Sequence, residues 1–199
     1  MYKIKAAALL CCAVAMFWGA ASQQSWGDAS PGQSDLRYYQ PVERGSAKPV
    51  SCDVLVYGGT PAGVTAAIAA ARMGREVVFA SFNRHVGGVT SGGLTATDTG
   101  KATTIGGLAR EFYNRIGRIR DFRPSQAESL FLKMLEEAGV SVLRQRCLES
   151  VTVEDARIVS VTMETGESFE AAVFIDTTYE GDLMAAACVS YRVGREPAG

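Results

Sequence analysis

Six residues, Gly58-Gly59-Thr60-Pro61-Ala62-Gly63, close a short apolar run and open an alanine-rich one. A turn of this type works through its backbone: it brings bare peptide N–H groups up to a phosphate at the start of a helix. Gly58 supplies the tight turn, and Gly63 lets the following helix lie close to the strand. Between them, where a dinucleotide turn normally carries its middle glycine, stands Thr60. That threonine is a good helix N-cap, and Pro61 falls at the first helical position, where its missing N–H costs nothing. The helix start then offers free donors and the positive end of its dipole to an anion. An ordinary strand–helix turn carries similar residues, so the surrounding elements must decide for a cofactor. A second site lies 23 residues after Gly58, where a carboxylate normally binds the adenosine ribose; here it is Ser81, with Asn83 as a nearby polar alternative.

The elements around the turn favour the cofactor. Residues 53–57 form an apolar run that reads as a buried parallel strand. Residues 64–73 are alanine-rich and end at Gly74, a natural helix stop. Residues 76–80 give a second strand, which completes a crossover unit of a parallel sheet. A glycine-rich segment, 85–107, has little periodicity. Residues 107–119 read as a helix with Leu108, Phe112 and Ile116 on one face. Residues 125–138 read as another, with Ser125 as N-cap, Glu128 completing a capping box and Gly139 ending it. A strand at 140–143 follows. Alternating apolar residues over 148–169 predict a small antiparallel meander with turns at 155–157 and 165–167. A last buried strand at 172–176 leads into a further short helix. The expected fold is α/β: a Rossmann-like domain with a parallel central sheet and a small antiparallel β-meander.

Four stretches carry a resemblance to a known family: Gly58 to Gly63, Asn83-Arg84-His85-Val86-Gly87-Gly88-Val89-Thr90-Ser91-Gly92-Gly93-Leu94, Ile105 to Phe112, and Thr178 to Ala187. In order and spacing they resemble bacterial FAD-dependent oxidoreductases, often secreted and sometimes labelled xanthan-lyase-related. The resemblance spans about residues 51–196. It implies a glutathione-reductase-type FAD fold. It implies that Gly87 and Gly88 pass near the pyrophosphate and flavin, with Asn83, Arg84 and His85 at the start of that segment, and that Thr90, Ser91, Gly92 and Gly93 line the flavin edge. It further places Leu148 near the adenine and brings Asp182 back to the cofactor. From the residues alone, Asp182 serves equally as a cap of the helix that follows. His85, the only histidine, reads first as a surface or loop-packing residue; a catalytic role is the alternative, and a covalent flavin link through it is a more remote one.

Composition narrows the rest. The chain has 199 residues, Lys+Arg 20 against Asp+Glu 21, a net charge of -1 and a pI near 5.9. This balance gives no basic face for a nucleic acid. Lys3 and Lys5, the uncharged apolar run from Ala6 to Trp18 and the small residues Gly19, Ala20 and Ala21 read as a signal peptide over residues 1–21. The run is too short for a bilayer span. A secreted or periplasmic protein without a membrane anchor is expected. Removing the signal leaves Cys52, Cys147 and Cys188, an odd number with no Cys-x-x-Cys pair. Zinc and Cys–His sites are all but excluded by inventory. Residues 22–50 read as a linker or N-terminal arm and 51–199 as the FAD-binding domain, with a C-terminal half expected beyond it. Arg110, Arg115, Arg118, Arg120 and Arg123 form a basic stretch that reads as a solvated face partnered by Glu111 and Asp121, or as a site for an anionic substrate. The expected function is an FAD-dependent oxidoreductase in which the flavin takes a hydride from an organic, small-molecule or saccharide-like substrate. The alternative is an FAD-binding module without turnover. A nicotinamide module and a lyase are weaker alternatives. No catalytic base stands out.

Overall fold

A computed structural model describes residues 44–45, 49–94, 97–192 and 194. The expected signal peptide, 1–21, and most of the expected arm lie outside them. Strand β1 (Val50–Tyr57), helix α1 (Pro61–Arg72) and strand β2 (Val77–Ser81) form the crossover unit. A single turn of helix, α2 (Gly88–Ser91), precedes α3 (Gly107–Ile116) and α4 (Pro124–Glu137). Strands β3 (Ser141–Arg144), β4 (Leu148–Glu154), β5 (Arg157–Met163) and β6 (Ser168–Asp176) follow, and α5 (Asp182–Ala186) comes last.

The six strands make one sheet in the order β3-β2-β1-β6-β5-β4. The first four are mutually parallel; β5 and β4 continue the sheet antiparallel. The meander and the last buried strand are therefore joined. A single nine-residue β6 pairs with β5 only through Val161↔Phe169 and Thr162↔Ser168, and with β1 from Val50↔Phe169 to Tyr57↔Asp176. One strand thus serves both the meander and the parallel sheet.

Alternation of side chains sorts the core onto two faces. On one, Val54, Val56 and Phe79 pack against Val64 and Ile68 of α1, Phe112 of α3, and Phe131, Met134 and Leu135 of α4. Phe112 stacks on Phe131 with centroids 4.3 Å apart. On the other, Leu55, Tyr57, Val78 and Ala80 meet Val161 and Met163 of β5, Phe169 of β6 and Leu183 of α5.

Two helix boundaries differ from expectation. Helix α3 stops at Ile116 because Gly117 turns left-handed (φ +81°), three residues before the predicted end. Helix α4 starts one residue earlier than predicted, since Pro124 takes the first helical position and Arg123 becomes the cap. The Arg123 N–H donates to Gln126 Oε1 at 3.3 Å, which leaves Glu128 free for another partner. Cys52, Cys147 and Cys188 are all free thiols. Arg44 is paired with Glu149, and the Gly45 N–H donates to Thr165 O at 3.0 Å, so this short stretch lies against the meander.

Candidate cofactor site

The C-terminal ends of β1, β2 and β6 meet at the start of α1, in the crevice where parallel α/β sheets bind ligands. Three loops are interlocked there. The first is the glycine turn. Gly58 has φ +123°, and a Cβ on it would sit 2.5 Å from the Thr177 carbonyl carbon. A Cβ on Gly63 would sit 2.2 Å from Gly58 O and 2.6 Å from Thr177 Oγ1. Both positions therefore require glycine, and the reason is backbone crossing backbone. Thr60 caps α1 by accepting the Gly63 N–H at 3.2 Å. The same hydroxyl donates to Thr177 O at 2.7 Å. No acceptor among the described residues takes the N–H of Gly59 or Thr60, and Ala62 is exposed at the helix start.

The second loop follows β6. Thr177 donates its N–H to Tyr57 O at 2.8 Å, and its hydroxyl bridges Tyr57 O and Gly58 O at 2.9 Å each. Asp176 accepts from the Thr178 N–H and hydroxyl and, through its other oxygen, from the Met184 N–H at 2.8 Å. Thr178 Oγ1 accepts the N–H groups of Gly181 and Asp182 at 2.9 Å each. Asp176 and Thr178 thus cap α5. Asp182 is its first residue, with its own side chain left to solvent. Partial burial of that carboxyl, ahead of the nearby Asp176 and Glu180, holds it above the ordinary carboxylate range.

The third loop follows β2. Gly59 O accepts both the Gly87 and the Gly88 N–H, at 2.8 and 2.9 Å. A Cβ on Gly87 would meet the Phe131 ring at 2.5 Å, and one on Gly88 would meet Tyr179 Oη at 2.2 Å. Ser91 locks the same turn by donating to Val86 O at 2.6 Å. Tyr179 Oη accepts the Val89 N–H at 3.0 Å, which leaves its own proton for another acceptor. The second and third loops border an open cleft of about 480 Å³ lined by Asn83, Arg84, His85, Gly88, Val89, Gly92, Leu94 and Tyr179.

Residues 53–199 match the family model described as FAD dependent oxidoreductase. The chain belongs to this FAD dependent oxidoreductase family. A curated relative is the tRNA uridine 5-carboxymethylaminomethyl modification enzyme MnmG of Streptococcus pyogenes, 27% identical over 150 residues, or 64% of this chain. The match spans 24% of that enzyme, so the chain corresponds to about a quarter of the curated relatives it resembles. Among solved structures, the L-proline dehydrogenase of P. horikoshii superposes with a TM-score of 0.57 at 14% identity, covering 74% of this chain and 58% of that one. A geranylgeranyl bacteriochlorophyll reductase-like protein from Thermoplasma acidophilum gives 0.53 at 16%, covering 70% and 42%. These likenesses establish a Rossmann-like fold, and the family establishes FAD as the cofactor.

The site fits that cofactor in two ways: free donors at the start of α1 and, beside it, a cleft without a carboxylate in its lining. The sequence-predicted residues divide by what the structure gives them to do. Gly58, Gly59, Thr60, Pro61, Ala62 and Gly63 form the turn and helix start. Asn83, Arg84, His85, Gly88 and Gly92 line the cleft. Thr90 packs toward α3 beside Leu108 and Phe112, and Gly93 is exposed with φ +120°. Ser81 is fully buried under Gly59; its hydroxyl accepts the Asn83 N–H at 3.2 Å and shapes the turn. The Leu148 N–H is held by Tyr57 Oη at 2.9 Å. Tyr57 is buried, and loss of water pushes its phenol up to about 12.

Four contributors were not read as part of the site: Asp176 and Thr177, Tyr179, which lay unremarked within the 178–187 stretch, and Glu128, whose spacing pointed to a capping box instead. Only the Asp-Thr-Thr run at the end of β6 hints at a capping turn. The basic stretch is divided. Arg115 pairs bidentately with Glu137 at 2.7 and 2.8 Å, and Arg72 with Glu111 at 2.8 Å twice. Arg110 and Arg118 instead reach backbone carbonyls of Ile105, Thr103 and Asp121. Among the described residues no three His, Cys, Asp or Glu side chains are grouped to hold a metal ion, and no helix is long and apolar enough to cross a membrane.

Proposed function

We propose that this chain forms the cofactor-binding part of an oxidoreductase that removes a hydride from a small organic or saccharide-like substrate. The observation that carries the reading is the three-way clamp of Gly59 O, Thr60 and Thr177, which ties the glycine turn to the loops after β2 and β6. When bound, the flavin supplies a two-electron acceptor. The chain's own residues bind and orient. In this reading the α1 N-terminus would hold the phosphates, Asn83 would serve the ribose hydroxyls, and Gly92, Gly93 and Tyr179 would border the ring edge. Residues 1–21 serve export as a cleaved signal, and no nucleic acid is a partner, in keeping with the net charge of -1.

The test is to incubate the purified chain with FAD, desalt it and record the flavin absorbance. Retained flavin in near-stoichiometric amount supports the site. A folded chain that keeps none removes the claim that this part binds FAD unaided. Sequencing the N-terminus of the exported protein checks cleavage near Ala21; an intact Met1 refutes the export signal.

A further inference from the structure

Helix α3 and the turn after it carry three arginines with two different fates. Arg115 is neutralised by Glu137 and Glu111, and Glu111 is shared with Arg72 of α1. Arg110 and Arg118 have no carboxylate partner among the described residues; their printed bonds go to backbone carbonyls. Both border an open cleft of about 430 Å³ beside α3, a size within the range of about 300–1,000 Å³ usual for small-molecule sites. Arg110 is pinned there. Its Nε–H donates to Ile105 O at 2.7 Å and Nη2 donates to Thr103 O at 2.9 Å, which leaves Nη1 and the second Nη2 proton unspent. Arg118 donates from Nη1 to Asp121 O at 3.2 Å and keeps its Nε and Nη2 donors. Asn114, one turn after Arg110 on the same helix face, adds a neutral amide to the lining. Tyr113 adds a hydroxyl, held 2.9 Å from Thr97 Oγ1. Ala102, Ile105 and Ile119 supply an apolar wall, and no Asp or Glu lines the cleft.

We propose that this cleft binds a small organic acid, with the carboxylate held by Arg110 and Arg118 and the carbon skeleton against Ala102, Ile105 and Ile119. It shares no lining residue with the cleft at Gly88 and Tyr179, so the proposal stands apart from the cofactor reading. A planar guanidinium with unspent N–H groups matches the two oxygens of a carboxylate. Helix α3 itself limits the charge of the ligand. Its C-terminus closes at Gly117, also in the lining, and the open carbonyls there amount to roughly half an elementary negative charge. That end repels a dianion about twice as strongly as a monoanion. No α-helix N-terminus, the usual cradle of a phosphate, lines the cleft. The two readings of the basic stretch are thus divided between its members: Arg115 belongs to a neutralised outer face, and Arg110 and Arg118 to a site for an anion.

The experiment uses the full chain, with benzoate, its neutral counterpart benzamide and inorganic phosphate as probes. It is run at about 0.15 M ionic strength, where diffuse attraction is screened. Binding is followed through the arginine Nε–H resonances of the isotope-labelled protein. Benzoate is expected to bind with a Kd of about 1 mM or tighter and to shift the Arg110 and Arg118 resonances. Benzamide and phosphate bind at least roughly tenfold more weakly. Arg118→Gln weakens benzoate roughly 10-fold, and Arg118→Lys, which keeps the charge and loses the fork, does not restore it. Arg120→Gln removes the same charge from an exposed neighbour outside the lining and leaves benzoate binding unchanged. A folded wild type that binds no benzoate overturns the site. Equal binding of benzamide, or equal weakening by Arg118→Gln and Arg120→Gln, also overturns it, since the apolar wall or diffuse charge would then account for the binding. Phosphate that binds as tightly as benzoate overturns the choice of a carboxylate. Arg118 and Arg120 are both exposed, so their variants should fold as wild type does, and circular dichroism checks this.

Discussion

Replacing Thr60 with valine tests whether one hydroxyl holds the glycine turn together. Valine has nearly the same shape, and the cap backbone (φ -87°, ψ 167°) is extended, which a β-branched residue adopts readily. What disappears is the hydroxyl alone. It accepts the Gly63 N–H at 3.2 Å and donates to Thr177 O at 2.7 Å, in a residue only 5% exposed. Loss of the cap bond costs about 1 kcal/mol, within a range of about 0.5–2. Loss of the second bond costs about another 1 kcal/mol, and leaving a buried donor and carbonyl unpaired adds to both. The expected total is about 2–3 kcal/mol. For a domain of this size that is a fall of roughly 4–12 °C in Tm. Thr60→Ser keeps both bonds and loses one methyl group, so it costs under about 1 kcal/mol. Urea denaturation of the three chains at matched m-values is the assay. Thr60→Val costing less than about 0.5 kcal/mol, or Thr60→Ser costing as much as Thr60→Val, refutes the claim that this hydroxyl clamps the site.

Gly63→Ala puts a methyl 2.2 Å from Gly58 O and 2.6 Å from Thr177 Oγ1; it should abolish FAD retention and cost more than about 2 kcal/mol, measured by desalting and denaturation. Tyr57→Phe removes the acceptor of the Leu148 N–H and should cost about 1–2 kcal/mol. Tyr57 also sets a limit in alkali. Its folded-state pKa of about 12 lies above the ordinary value of about 10, so the native chain keeps a proton that the unfolded chain has lost. The stability it contributes is whole below about pH 10 and lost as pH rises toward 12; Tyr57→Phe should flatten that limb of a stability profile. Cys188 has φ +57°, so Cys188→Gly should raise stability by about 0.5–1 kcal/mol in the same denaturation assay; a loss of stability counts against the left-handed assignment.

Legibility in the sequence followed the reach of the interactions. The strand, turn and helix of 53–73 could be read because apolar runs, Gly58, Thr60, Pro61 and Gly74 act within a few residues of one another. The role of Gly63 was also read correctly as close packing. The clamp that makes it necessary was invisible: Thr177 lies 114 positions further along the chain, the difference of the two residue numbers. Glu128 shows the opposite case. Its spacing from Ser125 fits a capping box, but Pro124 moved the cap to Arg123, and tertiary packing turned the carboxylate to His85. Ser81 occupies the ribose position in sequence, yet its one-carbon arm lies beneath Gly59, so the hydroxyl serves the turn.

The sequence by itself determined the element order, the glycine turn with its threonine cap, and the resemblance to a flavin family, because these depend on local propensity and on motifs of fixed spacing. Only the folded backbone settled that β6 would join the parallel and antiparallel parts of one sheet, that Gly59 O would tie down Gly87 and Gly88, and that Asp176 rather than Asp182 would cap α5. Those contacts join residues far apart in the chain, where many partners are chemically equivalent and only the folded backbone chooses among them.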